Sequence, residues 1–395
     1  MIRAFTLSIL ILFSVFSFGQ SLMDEQELEE QEVFTDIDKA FKKAAEVIIL
    51  DLSSQGLDAF PKNINRFRNL QILILSDNQI SEIPDNLSKL RKLQILHIDH
   101  NNIESLYFNT GDERNFENLE EVYAGYNPLK TIPENLKEIE LMMVSLAGCK
   151  YLDLNRVFTP LARILTLESL DLSDLNLDTI PWEVTNLGGL KSLNLSKNPA
   201  IAWDTSLKFL SQNKKIEELI LQDNKLTEVP EEFKLFQRLE SVDLSNNDRL
   251  RLPDVIKTLE GIKFLSSLKL ANCNISKLPK NIGNLKVLWE LDLSHNSIPF
   301  LPREFGGLVQ LESLDLRYND IQELPEEFAY LLNLEKLYLS HNPLEYIPEG
   351  VENMKDMKYV ELPKKTLEKG VKKSLSKWFP YAKIVFVALE DGEKQ

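Results

Sequence analysis

Leu70-Gln71-Ile72-Leu73-Ile74-Leu75-Ser76-Asp77-Asn78-Gln79-Ile80 is the stretch that decides the fold. Apolar residues fall at its first, fourth, sixth and eleventh positions, and Asn stands at the ninth. The arrangement returns as Leu93, Leu96, Ile98, Asn101 and Ile103, and again as Leu288, Leu291, Leu293, Asn296 and Ile298. Working outward gives fourteen units, beginning at Val47, Leu70, Leu93, Leu119, Leu141, Leu167, Leu190, Ile216, Leu239, Leu265, Leu288, Leu311, Leu334 and Met357. Their spacing is 23 or 26 residues, with a single step of 22. Within each unit apolar and polar residues alternate, as in Leu314-Asp315-Leu316, the period of a strand with one buried face. A lone strand has nothing to bury its leucines against. Stacked copies have each other, so the repetition predicts one continuous core. By length alone the 395 residues suggest several domains; the repeat replaces that expectation with a single solenoid.

The pattern resembles the leucine-rich repeat family, in its bacterial form with mostly 23-residue repeats, over nearly all of the chain after Ala45. The resemblance implies an α/β solenoid: a leucine-rich repeat horseshoe with a parallel concave sheet of about 14 strands and a cap at each end. At the ninth position the chain turns off the strand and leaves backbone N–H and C=O groups facing inward, and an Asn side chain satisfies both kinds. Nine units place Asn there: Asn78, Asn101, Asn127, Asn198, Asn224, Asn247, Asn296, Asn319 and Asn342. Gln55 opens the series, and Leu175 departs from it, where a local distortion or a water is expected. Cys149 and Cys273 occupy the same position. Five units of about 4.8 Å put them roughly 24 Å apart, so they read as buried, reduced spacers rather than as a disulfide or a reactive pair. Ten of the 17 prolines, from Pro61 to Pro348, fall fourteen residues after a unit start and mark the outer arc. Phe158, Leu161, Ile164 and Leu165 have the spacing of a helix on the convex side.

Residues 1–19 carry one Arg, a short apolar run and small residues at Ser17 and Gly19, the pattern of a secretory signal peptide. The apolar run is shorter than the roughly 20 residues of a membrane span. Eight acids and no Lys or Arg between Asp24 and Asp38 make 20–32 an acidic flexible leader. Residues 33–46 are expected as an N-terminal cap helix with Thr35 or Asp36 as its N-cap, 47–362 as the repeats, and 363–395 as a C-terminal cap containing a helix and a last strand from Lys383. These readings place the protein outside the cytoplasm, in the periplasm, secreted or on the cell surface, with no integral span once the signal is removed.

The net charge of −16 disfavours nucleic acid, whose phosphates attract clustered Lys and Arg. No phosphate-cradling glycine motif occurs, so no cofactor is expected. Bacterial repeat proteins that this one resembles can carry a catalytic Cys domain; here no Cys follows the repeats, and no catalytic residue is assigned. His97 and His100 with Asp99 are too few for a metal site, and His295 and His341 receive no role. Asp171, Asp243, Asp292 and Asp315 form an acidic stripe read as solvated. What stands out is the N-terminal third of the concave face, where Ile72, Ile74, Ile95, His97, His100, Tyr123 and Tyr126, with Met143 beside them, replace the usual Ser, Asp, Asn and Lys. Apolar and aromatic side chains gathered on an open sheet face mark an interaction patch. The expectation is a non-catalytic, monomeric scaffold that binds a protein partner there. The alternatives are an adhesion or structural protein using the whole arc, or an accessory subunit of an enzyme. A patch covered by a loop or by the protein's own acidic leader is a further possibility for the same residues. Arg317, Tyr318 and Tyr338 form a second, weaker candidate.

Overall fold

In a computed structural model of the chain, which describes residues 22–111, 115–364 and 369–388, sixteen strands form one parallel sheet in chain order. Fourteen of them belong to the repeats, from β2 (Ile49–Asp51) to β15 (Tyr359–Pro363). The other two are supplied by the caps, β1 (Val33–Phe34) at one end and β16 (Lys383–Val387) at the other. That accounts for the difference from the expected 14: each cap extends the sheet as well as covering it. Register is constant, with the third, fourth and fifth positions of one unit opposite those of the next, as in Ile72↔Ile95, Leu73↔Leu96 and Ile74↔His97. The fourth and sixth positions of every unit therefore line up in one buried stack running from β2 to β15.

On the convex side seven of the ten periodic prolines start a short turn rather than merely extending the chain, and Pro253 stands in the first turn of an α-helix. Pro84, Pro133, Pro181, Pro230, Pro279, Pro302 and Pro325 each precede a five-residue 3₁₀ turn. Three of the 26-residue units carry α-helices instead, over Leu154–Leu161, Trp203–Leu210 and Leu252–Leu259. The first takes in Phe158 and Leu161 of the expected stripe; Ile164 lies beyond its end but is buried, and Leu165 is 88% exposed.

The caps carry structure that the sequence reading left out. The signal peptide expected at 1–19 lies outside the described residues. The leader expected to be flexible holds a helix at Glu25–Glu29, closed by a reciprocal capping box between Asp24 and Glu27, and it buries Leu28. The cap helix is confined to Ile37–Lys42, because the Asp36 carboxylate accepts the N–H groups of Asp38 and Lys39 and begins the helix there, while Val33–Phe34 pair with β2. Phe41 of this helix stacks on Phe67 at 4.9 Å, which joins the cap to the core. Gln55 reaches back from the first ninth position to the Thr35 carbonyl at 2.9 Å, a contact a shorter Asn would not make. At the other end β15 runs on through Pro363, one residue past the expected boundary, and the helix Lys369–Trp378 buries Leu375.

The ninth-position ladder is built as expected. The Asn78 amide donates to the carbonyls of Leu52, Leu75 and Ser76, and its oxygen accepts from the N–H groups of Gln55 and Leu57. At Leu175 the sheet stays in register on both sides, without the distortion expected there, and Asn198 of the next unit makes its usual bonds back, accepting from Leu175 and Leu177 and donating to Leu172. Cys149 and Cys273 are free and buried, and burial pushes their thiols up to about 11 and about 12, so both stay protonated at neutral pH.

Candidate functional site

The concave face consists of the third and fifth residues of each repeat unit, at the two ends of its strand, and the eighth residue, just beyond it. In every unit from Ser54 to His341 that eighth residue has a left-handed backbone. The fifth residue helps close the turn leading into it. The side chains of Asp51, Asp171, Asn194, Asp243, Asp292 and Asp315 each accept the N–H two residues on, at 2.8–3.0 Å. The acidic stripe thus has a structural task that the sequence reading missed. The signal was present, since Asp, Asn, Gly and His, the residues that best tolerate the left-handed region, crowd the eighth position. His100, His295 and His341 sit there for that reason.

In the N-terminal third this geometry assembles two stacked ring pairs, one on β4 (Ile95–His97) and β5 (Glu121–Tyr123) and one just beyond them. His97 and Tyr123, opposite each other in the fifth row, stack at 4.2 Å and 8°. His100 and Tyr126, in the eighth row, stack at 4.2 Å and 7°. Tyr126 lies over Gly148, where a Cβ would fall 2.3 Å from its ring, so this glycine keeps the space the ring occupies. The Tyr123 hydroxyl donates to Glu121 at 2.8 Å, and Ser76 donates to Asp99 at 2.7 Å. His100 and Tyr126 are exposed, whereas Ile72, Ile74, Ile95, His97 and Tyr123 are half-buried. All seven residues expected from the sequence thus fall on one stretch of the face, but its rings cover each other and only its outer row is open. The backbone N–H of Met23 donates to Gln71 at 2.9 Å, so the segment leading into the first helix meets the sheet beside Ile72.

Burial sets the charge state of this floor. It holds the His97 imidazole down at about 4, against the pull of the Asp51 carboxylate, and it raises Asp99 and Glu121. His97 is therefore neutral at physiological pH. Because the unfolded chain takes up this proton first, the folded state loses stability as pH falls from 6.5 toward 4, and the loss levels off below that. Asp99 and Glu121 act with the opposite sign, so the wild type is best compared with a His97→Gln variant. Between those two pH values the wild type should lose about 2 kcal/mol relative to the variant in urea unfolding. Parallel pH profiles for the two proteins would refute a depressed His97.

A second aromatic group lies near the other end. Tyr318 is sandwiched between His295 at 4.3 Å and His341 at 4.0 Å in the eighth row. Arg317 is held on Asp315, with Nε 2.9 Å from the carboxylate, and lies over the Tyr338 ring at 5.1 Å. Sequence reasoning found Arg317, Tyr318 and Tyr338 but left out the two histidines that complete the stack.

Among the described residues no group of three or more His, Cys, Asp or Glu could hold a metal ion, and no helix is long and apolar enough to cross a membrane. Residues 263–321 and 305–344 match a family model described as leucine rich repeat, and residues 68–111 match one described as leucine rich repeats (2 copies). No curated protein matches the chain in sequence. Among solved structures, a leucine-rich repeat protein of Leptospira interrogans is 26% identical, with 90% of this chain and 100% of that chain covered and a TM-score of 0.53. The repeat chain of a TLR13–ssRNA13 complex is 19% identical over 90% of this chain and 65% of its own, with a TM-score of 0.52, and shows the fold alone. An internalin of Listeria monocytogenes is 23% identical over 81% of this chain and 88% of its own, with a TM-score of 0.48. With repeat units stacked from Val47 onward in one open parallel sheet, and these matches at both ends of it, the chain is a leucine-rich repeat protein.

Proposed function

We propose that the protein is an exported, non-catalytic scaffold that binds a protein partner through the N-terminal third of its concave face. Leucine-rich repeat proteins generally serve as protein-interaction scaffolds, and the observation that carries the specific reading is the double His/Tyr stack on and just beyond β4 and β5. Stacked rings are already fixed in one orientation, so a partner that packs on them loses little side-chain freedom in doing so. Tyr126 and His100 offer the exposed outer row, with the hydroxyl of Tyr126 directed to Asp174 and Lys150 paired with that carboxylate at 3.1 Å. Export is supported by the Arg3-led apolar run at the N-terminus. The whole-arc alternative draws on the second stack around Tyr318, which gives the far end of the face a comparable surface.

The test captures partners from the host's envelope and culture fluid with the chain from Gln20, then measures each captured protein against purified chain. The comparison is a Tyr123→Ala, Tyr126→Ala, Ile74→Ser variant whose circular dichroism matches the parent. Pairwise affinity should fall at least about a hundredfold in the variant, the size expected when interface anchors are lost. Equal affinity would move the site elsewhere on the arc. Tighter binding after removal of residues 20–32 would mean that the leader competes for the same surface.

A further inference from the structure

On the flank where the chain enters the strands, the two residues before each unit's first leucine are mostly charged or polar: Arg68-Asn69, Arg91-Lys92, Glu117-Asn118, Lys214-Lys215. Four consecutive units from Leu265 to Leu334 break this rule. There Phe264, Val287, Val309 and Leu332 fill one of the two places, with Trp289 just after its unit's first leucine and Tyr330 at the end of the preceding turn, and all six are 42–62% exposed. Val287 and Trp289 straddle the buried Leu288, and the Trp289 backbone lies in hydrogen-bonded line with Ser266 and Glu312 of the units on either side. The six side chains thus form a stripe along the solenoid, about 15–20 Å long at the strand spacing. They present on the order of 600 Å² of apolar surface, at the upper end of what a monomer normally leaves exposed.

In place of the monomer expected from the sequence, we propose that this stripe is the interface of a two-fold dimer with a second copy of the chain. Two observations select that occupant. The area approaches the roughly 800 Å² per partner of a standard stable interface, with the charged rim still to add. The rim is also polarised along the stripe: Lys263 and Lys286 stand in its first two units, Glu312 and Glu335 in its last two. Lys263 lies over the Phe264 ring at 5.0 Å, and Glu335 is paired with Lys358 at 2.7 Å. A second copy running antiparallel sets the unit of Lys286 opposite the unit of Glu312, twice over by symmetry, while Glu335, already paired with Lys358, adds little opposite Lys263. A copy in the same direction would put like charges together. An interface used twice by one symmetry operation needs this self-complementarity. The dimer leaves both concave faces open.

Sedimentation velocity of the full chain over a hundredfold concentration range tests this. The intact protein should shift from monomer to dimer with concentration. A Val287→Ser, Trp289→Ser variant, altered only at exposed positions and checked for an unchanged melting temperature, should need at least about tenfold more protein to dimerise. Lys286→Glu should weaken the dimer, and adding Glu312→Lys should restore it. A chain that stays monomeric throughout, or a dimer indifferent to the serine variant, overturns the proposal. Failure of the charge swap to restore a dimer that the serine variant abolishes overturns the antiparallel arrangement. Co-sedimentation of a monomeric chain with phosphatidylcholine vesicles, lost in the serine variant, would assign the stripe to a lipid surface instead.

Discussion

Replacing Asn198 by Ala should cost about 4 kcal/mol of stability, and it should do so by cutting the solenoid rather than by loosening it everywhere. The side chain is completely buried. Its amide donates to the carbonyls of Leu172, Leu195 and Ser196 at 3.0–3.1 Å, and its oxygen accepts from the N–H groups of Leu175 and Leu177 at 3.0 and 3.1 Å. An alanine leaves these backbone groups without that partner, at about 1–3 kcal/mol for each one that nothing else reaches. Position matters as much as chemistry. The preceding ninth positions are Cys149 and Leu175, and neither brings an amide, so Asn198 is the first Asn after a gap of two units. In a solenoid each unit holds only its neighbours, and a weakened step lets the two sides unfold separately. Urea unfolding should therefore show both a lower midpoint and a shallower slope, or two transitions. Asn319→Ala, flanked by Asn296 and Asn342, should lower the midpoint with less effect on the slope. A loss below about 1 kcal/mol at Asn198 would mean that water replaces the amide without penalty, and the ladder would lose its status as the tie between units.

What the sequence discloses about this molecule follows from what repeats in it. Fourteen units of the leucine pattern fix the buried stack, and Asn at the ninth position announces the ladder, because the first is stated in every unit and the second in nine of them. The caps occur once each, and no repetition corrects a misreading there. The acids between Asp24 and Glu32 look like a solvated tail until Asp24 is seen to cap a helix, whereas Asp36 caps its helix as the sequence suggests. The concave site falls between these cases. Its residues are visible as departures from the repeat, but whether a tyrosine stands free or lies flat on its neighbour depends on the step between strands. His97 and Tyr123 lie at equivalent positions of adjacent units, 26 residues apart, and only the parallel register reveals that they stack. The flank stripe was missed for a related reason: its residues stand before the motif or, like Trp289, at its second position, which the leucine pattern does not constrain, so they stand out only once the strands are laid side by side.

Convex packing gives the second large effect, and it rests on how thick the neighbouring connection is. Gly283, Gly306 and Ala329 occupy the same place in three successive units, each inside a 3₁₀ turn. A Cβ on Gly283 would fall 2.1 Å from the carbonyl oxygen of Glu304 in the next turn, and one on Gly306 would fall 2.4 Å from that of Glu327. Both clashes are with backbone, so no side-chain rotation relieves them. In each case the following unit also makes its return by a 3₁₀ turn, and two such thin turns stack with their backbones in contact. Where the following unit carries an α-helix, the equivalent residues are Lys137, Thr185 and Lys234, and a full side chain is accommodated. Gly283→Ala should therefore cost about 2–3 kcal/mol from forced separation of the turns, after the smaller gain from a stiffer unfolded chain. Lys234→Ala, at the equivalent place before a helix, should stay within about 0.5 kcal/mol of the parent. The contrast between the two is the decisive reading in thermal and urea unfolding. If Gly283→Ala proves neutral, the turns have room to move apart, and the close stack of glycine-bearing turns is not what sets the spacing of the last units.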